Sequence, residues 1–203
     1  MPIAQLVVAS GNLGKIQEFA QALTQFDLTL IPKPDHLEVE ETGSTFLANA
    51  HLKASQVAIA TGKWALADDS GLAVDALKGA PGIYSARYGH SDRDRIQRVL
   101  QELGDQPNRQ AQFVCAIAIA NPQGELVAEA EGICHGQILH QPQGSDGFGY
   151  DPIFYLPEHQ LTFGQMSPHQ KAQYSHRALA LAILLPQLQR LMRDSNPSQV
   201  QKI

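Results

Sequence analysis

Two aspartates stand side by side in Asp68-Asp69-Ser70-Gly71, directly after the apolar run from Trp64 to Ala67. Adjacent carboxylates repel, so the pair is costly unless a cation or hydrogen-bond donors compensate it. At the carboxyl end of a buried strand, such a pair suits magnesium binding or proton abstraction. Neighbouring side chains of an extended segment point to opposite faces, so one of the two enters a given site. The plainer alternative is a solvated acidic turn or a helix N-cap. A second acidic pair, Glu40-Glu41, precedes Thr42-Gly43-Ser44. On its own it reads as surface charge or helix-dipole compensation. If it faced Asp69, one Glu and one Asp would be sufficient for Mg²⁺, which keeps the rest of its octahedron for water and phosphate oxygens.

Three further segments carry polar chemistry. Ser10-Gly11-Asn12-Leu13-Gly14-Lys15 joins an apolar run to a helical pattern. Such a loop points N–H groups at the helix N-terminus, where an anion is favoured, and Lys15 adds a full charge. The spacing is not that of a Walker A loop, and a simple turn is the alternative. Gly147-Phe148-Gly149-Tyr150-Asp151-Pro152 places two aromatics between glycines and an acid beside proline. Glycines let a ligand approach the backbone, and Phe148 or Tyr150 is suited to stack on a base. The alternative is a structural turn whose aromatics plug the core. Lys171 and Ser175-His176-Arg177 lie before or at the start of the last helical pattern. Basic groups there oppose the helix dipole, a local inconsistency that suggests anion or base recognition.

The elements that must position these groups alternate early. The run from Leu6 to Ala9 reads as a buried strand. Ile16, Phe19, Ala20 and Leu23 recur on one face of a helix. A strand is expected from Leu28 to Ile31, stopped by Pro32 and Pro34. Ser44 suits an N-cap for an alanine-rich helix from Thr45 to Thr61, with Leu47, Ala50, Ala54, Val57 and Ala58 on its packed face and Gly62 ending it. A strand from Trp64 to Ala67 runs into the aspartate pair. A helix follows from Asp92 to Leu103, then a hairpin of Gln112 to Ala120 and Glu125 to Glu131 about the turn Asn121-Pro122-Gln123-Gly124. The last helix begins near Ser175 and carries Leu179, Ile183, Leu184 and Leu188, with Pro186 inside it. An α/β fold with a mixed, twisted sheet fits this order. We expect one domain over residues 1–194 and a polar tail over residues 195–203.

Composition narrows the function. The 203 residues are 43% hydrophobic and 17% charged, which is globular and not disordered. The net charge of -5 argues against a long nucleic acid as partner. Two cysteines, Cys115 and Cys134, are too few for a disulfide framework and read as reduced thiols. The N-terminus lacks a basic stretch and no apolar run approaches the ~20 residues of a membrane span, so a cytoplasmic protein without membrane association is expected.

Taken together, the order and spacing of these segments resemble the inosine triphosphate pyrophosphatase family, the RdgB-like housekeeping nucleotide pyrophosphatases. The matching segments run from Ala9–Lys15 through Glu40–Phe46, Ala67–Leu72, Gly79–Tyr88 and Gly147–Pro152 to Ser175–Arg177. Ser10 stands where the family often has Thr. The resemblance implies Mg²⁺-dependent hydrolysis of nonstandard purine nucleoside triphosphates (ITP, dITP, XTP) to the monophosphate and pyrophosphate, which cleanses the nucleotide pool. It implies an elongated mixed sheet flanked by helices, two lobes about a central cleft, and a homodimer. Ser10, Gly11, Asn12, Leu13, Gly14 and Lys15 would hold the triphosphate. Asp69 would be the general base and bind one Mg²⁺ per subunit with Glu40, Glu41 being its rival. Ser70 would touch the substrate. Phe148, Gly149, Tyr150, Asp151, Lys171, His176 and Arg177 would line the nucleotide pocket. A pyrophosphatase for modified pyrimidine triphosphates and a nucleotide sensor are the rival readings. A poised base argues against the sensor.

Overall fold

Residues 3–194 are described in the computed structural model, and the expected tail over residues 195–203 lies outside them. Seven strands form one sheet in the order β2-β1-β3-β4-β5-β6-β7. They are β1 (Gln5–Val8), β2 (Thr29–Pro32), β3 (Trp64–Val74), β4 (Gln110–Ala120), β5 (Leu126–Ile138), β6 (Phe154–Leu156) and β7 (Leu161–Thr162). The helices are α1 (Leu13–Leu23), α2 (Phe46–Thr61), α3 (Asp92–Leu103), α4 (Pro168–Tyr174) and α5 (His176–Asp194). β1 pairs in parallel with β2 and β3, and β6 pairs antiparallel with β5 and β7, so the sheet is mixed as expected.

The chain divides into two compact units. The first comprises the residues up to Asp69, Ala116–Glu131 and those from Ala180 on; the second comprises Ser70–Cys115 and Gly132–Leu179. The boundaries fall inside β3, β4, β5 and α5, so no linker composition marks them. In the first unit, Ala50, Ala54 and Ala58 of α2 pack with Ala65 and Ala67 of β3. Side chains this small bring the helix close to the strand, within reach of short polar groups. In the second unit, Ile96, Val99 and Leu103 of α3 share a core with Phe113, Phe154 and Phe163. Their i, i+3, i+7 spacing is one helical face. Cys115 and Cys134 are both buried thiols. Among the described residues no helix is long and apolar enough to cross a membrane.

Several expectations need correcting. The N-cap of α2 is Thr45, whose Oγ1 accepts the Ala48 N–H at 3.1 Å, and not Ser44. β2 includes Pro32, because it ends the sheet's order and an edge strand tolerates the missing N–H. β3 continues through Asp68-Asp69-Ser70-Gly71 to Val74, so the aspartates lie within the strand and not after it. Polar partners for both carboxylates make that burial affordable, as described below. Leu184 and Leu188 of α5 are buried as expected, but Leu179 and Ile183 are exposed and Ala180 and Leu181 are buried in their place. Ala20 is likewise exposed, leaving Phe19 and Leu23 as the buried face of α1. α5 continues through Pro186 without ending.

Candidate functional site

In the first unit, four charged or polar side chains converge on the aspartate pair. Asp68 is 1% exposed and takes Lys15 Nζ at 2.8 Å. Lys15 lies in the first turn of α1, whose N-cap Asn12 accepts the Lys15 N–H at 3.1 Å. Ser10 Oγ in turn accepts the Asn12 N–H at 3.2 Å. Asp69 is 6% exposed and turns to α2. Its Oδ2 accepts from Asn49 Nδ2 at 2.9 Å, and its Oδ1 lies 3.6 Å from Lys53 Nζ. Lys53 Nζ also donates to Glu41 Oε1 at 2.8 Å. The alternation expected for an extended pair therefore holds: one aspartate addresses α1, its neighbour α2.

Among these named groups, three carboxylates face two ammonium groups. Burial pushes the Asp69 carboxyl above the ordinary aspartate range, with Glu41 adding to the rise and Lys53 and Asn49 opposing it. Burial alone would lower Lys53, but Asp69, Asp68 and Glu41 outweigh it and hold the ammonium charged. The two shifts differ in cause, burial for Asp69 and surrounding carboxylates for Lys53, but three carboxylates against two ammonium groups still leave a local excess of negative charge. For Asp69 the folded value lies above the unfolded one, so the folded state binds more protons between the two. Stability contributed by this group therefore falls as pH rises through that window. A hard divalent cation would relieve the same excess, and oxygen donors are what Mg²⁺ takes. Asp69 and Glu41, which share Lys53 as a partner, are oxygen donors of that kind. Glu40 is exposed, whereas Glu41 is half-buried against Lys53.

In the second unit, Asp151 organises a basic and aromatic cluster. It is 2% exposed, and its Oδ2 accepts Lys171 Nζ at 2.6 Å and the Phe148 N–H at 2.8 Å. Gly147 has φ of 78°, and a Cβ there would stand 2.0 Å from Asp151 Oδ2. Glycine is thus required both by conformation and by space. Lys171 Nζ lies 4.2 Å from the centre of the Phe148 ring, a cation–π arrangement. The Gly149 N–H donates to Asp92 Oδ2 at 2.8 Å. Tyr150 is a core residue, its hydroxyl donating to the Ser85 carbonyl at 2.8 Å. At the start of α5, His176 stacks on Phe113 with 4.6 Å between ring centres. Arg177 is 1% exposed, and its Nη2 donates to Ser70 Oγ at 3.0 Å.

The structure thus gathers Ser10, Asn12, Lys15, Glu41 and Asp69 in one unit, and Ser70, Phe148, Asp151, Lys171, His176 and Arg177 in the other. Leu13 is 74% exposed. Asn49 and Lys53 were not singled out from the sequence. Their signal was present: an amide and an ammonium, four residues apart, on a helix whose buried face is otherwise small and apolar, Ala50, Ala54, Val57 and Ala58.

The chain is similar to known relatives and to solved structures. A model of the Ham1 family matches residues 6–187. A dITP/XTP pyrophosphatase of Nostoc sp. (strain PCC 7120) is 60% identical over 190 residues, 94% of this chain and 97% of that protein. A dITP/XTP pyrophosphatase of Synechocystis sp. (strain PCC 6803) is 55% identical over 94% of this chain and 98% of that protein. Among solved structures, a HAM1 protein from Coxiella burnetii matches with a TM-score of 0.83 at 40% identity, over 94% of this chain and 98% of that one. The Ham1 protein of Staphylococcus aureus matches with a TM-score of 0.81 at 44% identity, over 92% and 98%. The family match spans every segment on which the resemblance rested, and the chain belongs to the Ham1 family.

Proposed function

We propose that this chain hydrolyses nonstandard purine nucleoside triphosphates, such as dITP, ITP and XTP, to the monophosphate and pyrophosphate. The observation that carries the reading is Asp69. It is a buried carboxylate held by Asn49 and Lys53, and burial raises it above the ordinary aspartate range, as suits a group that takes a proton. The names of the relatives at 60% and 55% identity support the substrate class.

Asp69 takes the proton of the water that attacks the α-phosphorus. Lys15 and the N–H groups of Leu13 and Gly14, which a helix start leaves without internal partners, receive the phosphate oxygens and the charge growing on the leaving pyrophosphate. Mg²⁺, one per subunit, would be held by Asp69 with Glu40 or Glu41, and supplies charge neutralisation on the phosphates. Lys53 keeps Glu41 and Asp69 apart as charges and together in space. In the second unit, Phe148 offers a ring face to the base, and Arg177, His176 and Lys171 supply donors. A 6-oxo purine accepts from such a donor; adenine presents an amino group and leaves it unpaired, which is costly when buried. The enzyme works as a cytoplasmic homodimer that keeps aberrant purines out of DNA and RNA.

The test is pyrophosphate release from a panel of nucleoside triphosphates with and without magnesium. Metal-dependent release from dITP and XTP, with little from ATP or GTP, is expected. Release from modified pyrimidine triphosphates alone would transfer the enzyme to that rival class. Binding without release would leave a sensor.

A further inference from the structure

We propose that Asn49 is a positioning residue for the reaction, fixing the Asp69 carboxylate and the acidic loop of Glu40-Glu41 against each other through one side-chain amide. The inference rests on the function proposed above and assigns a role to a residue outside the sets argued there from the resemblance. Asn49 is fully buried, on the alanine face of α2. Burying a carboxamide is unfavourable unless its donor and acceptor are both bonded. Asn49 uses both ends. Its Oδ1 accepts the Gly43 N–H at 2.8 Å, and its Nδ2 donates to Asp69 Oδ2 at 2.9 Å.

The amide's orientation is forced by its partners. Gly43 N–H can only donate and an ionised Asp69 can only accept, so the oxygen must face the loop and the nitrogen the aspartate. The contact with the loop is tight as well as directional. A Cβ on Gly43 would lie 2.7 Å from Asn49 Oδ1 and 2.9 Å from the Asn49 backbone nitrogen. Gly43 follows Glu41 by two residues, so the amide sets where that acidic loop sits relative to Asp69. It also holds Asp69 Oδ2, which sets the plane of the carboxylate and with it the position of Oδ1, 3.6 Å from Lys53 Nζ. α2 provides the rigid mount, its first turn closed by the Thr45 cap.

A loop staple with no part in the reaction would produce the same hydrogen bonds, so the test must separate the two. Asn49→Asp keeps the acceptor for Gly43 and replaces the donor to Asp69 with a second carboxylate. With dITP as substrate, kcat should fall about 100-fold, the effect of a misplaced catalytic group, while KM stays within about threefold. In an Asp69→Asn background the same substitution should lower kcat little further, because its target is already gone. Where Asn49→Asp does not fold, Asn49→Ser removes both bonds with a small polar side chain and should show the same split. A folded Asn49→Asp or Asn49→Ser enzyme with kcat within about twofold of wild type overturns the positioning role. So does an undiminished loss in the Asp69→Asn background, or a rise in KM equal to the loss in kcat. Wild-type protein that releases no pyrophosphate from any triphosphate overturns the proposed function, and this inference with it.

Discussion

Asp69→Asn is expected to lower kcat for dITP by roughly 10²–10⁴-fold, the usual contribution of a general base, while substrate affinity changes little. The substitution keeps the shape of the side chain, and its carbonyl oxygen can still accept from Asn49 Nδ2. Lys53 retains Glu41 as its 2.8 Å partner, so the cluster need not collapse. What is lost is the capacity to take a proton. A second reading accompanies the first. The ionised Asp69 is penalised by burial, so in metal-free protein the variant should gain stability over wild type as pH rises beyond the ordinary aspartate range. Steady-state kinetics and denaturant unfolding with chelator present measure the two effects. A variant with near wild-type turnover would remove Asp69 from the chemistry.

The largest effect on stability is expected at Asp151→Ala. Asp151 and Lys171 form an ion pair with 2% and 7% of their side chains exposed. Removing one partner leaves the other charge buried, which costs roughly 3–5 kcal/mol. The Phe148 N–H loses its acceptor as well. Asp151→Asn combined with Lys171→Met removes both charges and should recover much of that loss in urea unfolding. A loss of about 1 kcal/mol or less is what an exposed pair gives and would contradict the burial argument. Because Asp151 also holds the Phe148 loop and Lys171, folded protein should use dITP poorly.

Much of this site was legible because its residues violate local expectation. Adjacent aspartates repel, and His176-Arg177 oppose a helix dipole. Both inconsistencies mark groups the fold buries, Asp69 among carboxylates and lysines, Arg177 against Ser70. The strand runs past its expected end at Ala67 for the same reason. Asp68-Asp69-Ser70-Gly71 has the composition of a turn, and tertiary partners, Lys15, Asn49, Lys53 and Arg177 among them, hold it in β3. Asn49 and Lys53 went unread because alanines around them made α2 look like a pure packing helix. β6 and β7, three and two residues long, are too short for a period to register. α4 is different: Ser167, Pro168 and Gln170 supply a capping box with proline in the first turn, a readable start. On α5 the apolar residues are too evenly spread for spacing alone to tell Leu179 and Ile183 from Ala180 and Leu181.

The most direct test of the reaction is hydrolysis of dITP in ¹⁸O-labelled water, with the products separated and weighed. Attack at the α-phosphorus places one labelled oxygen in the deoxyinosine monophosphate and leaves the pyrophosphate unlabelled. Label in the pyrophosphate, or release of orthophosphate with a nucleoside diphosphate, would contradict a pyrophosphatase of this kind.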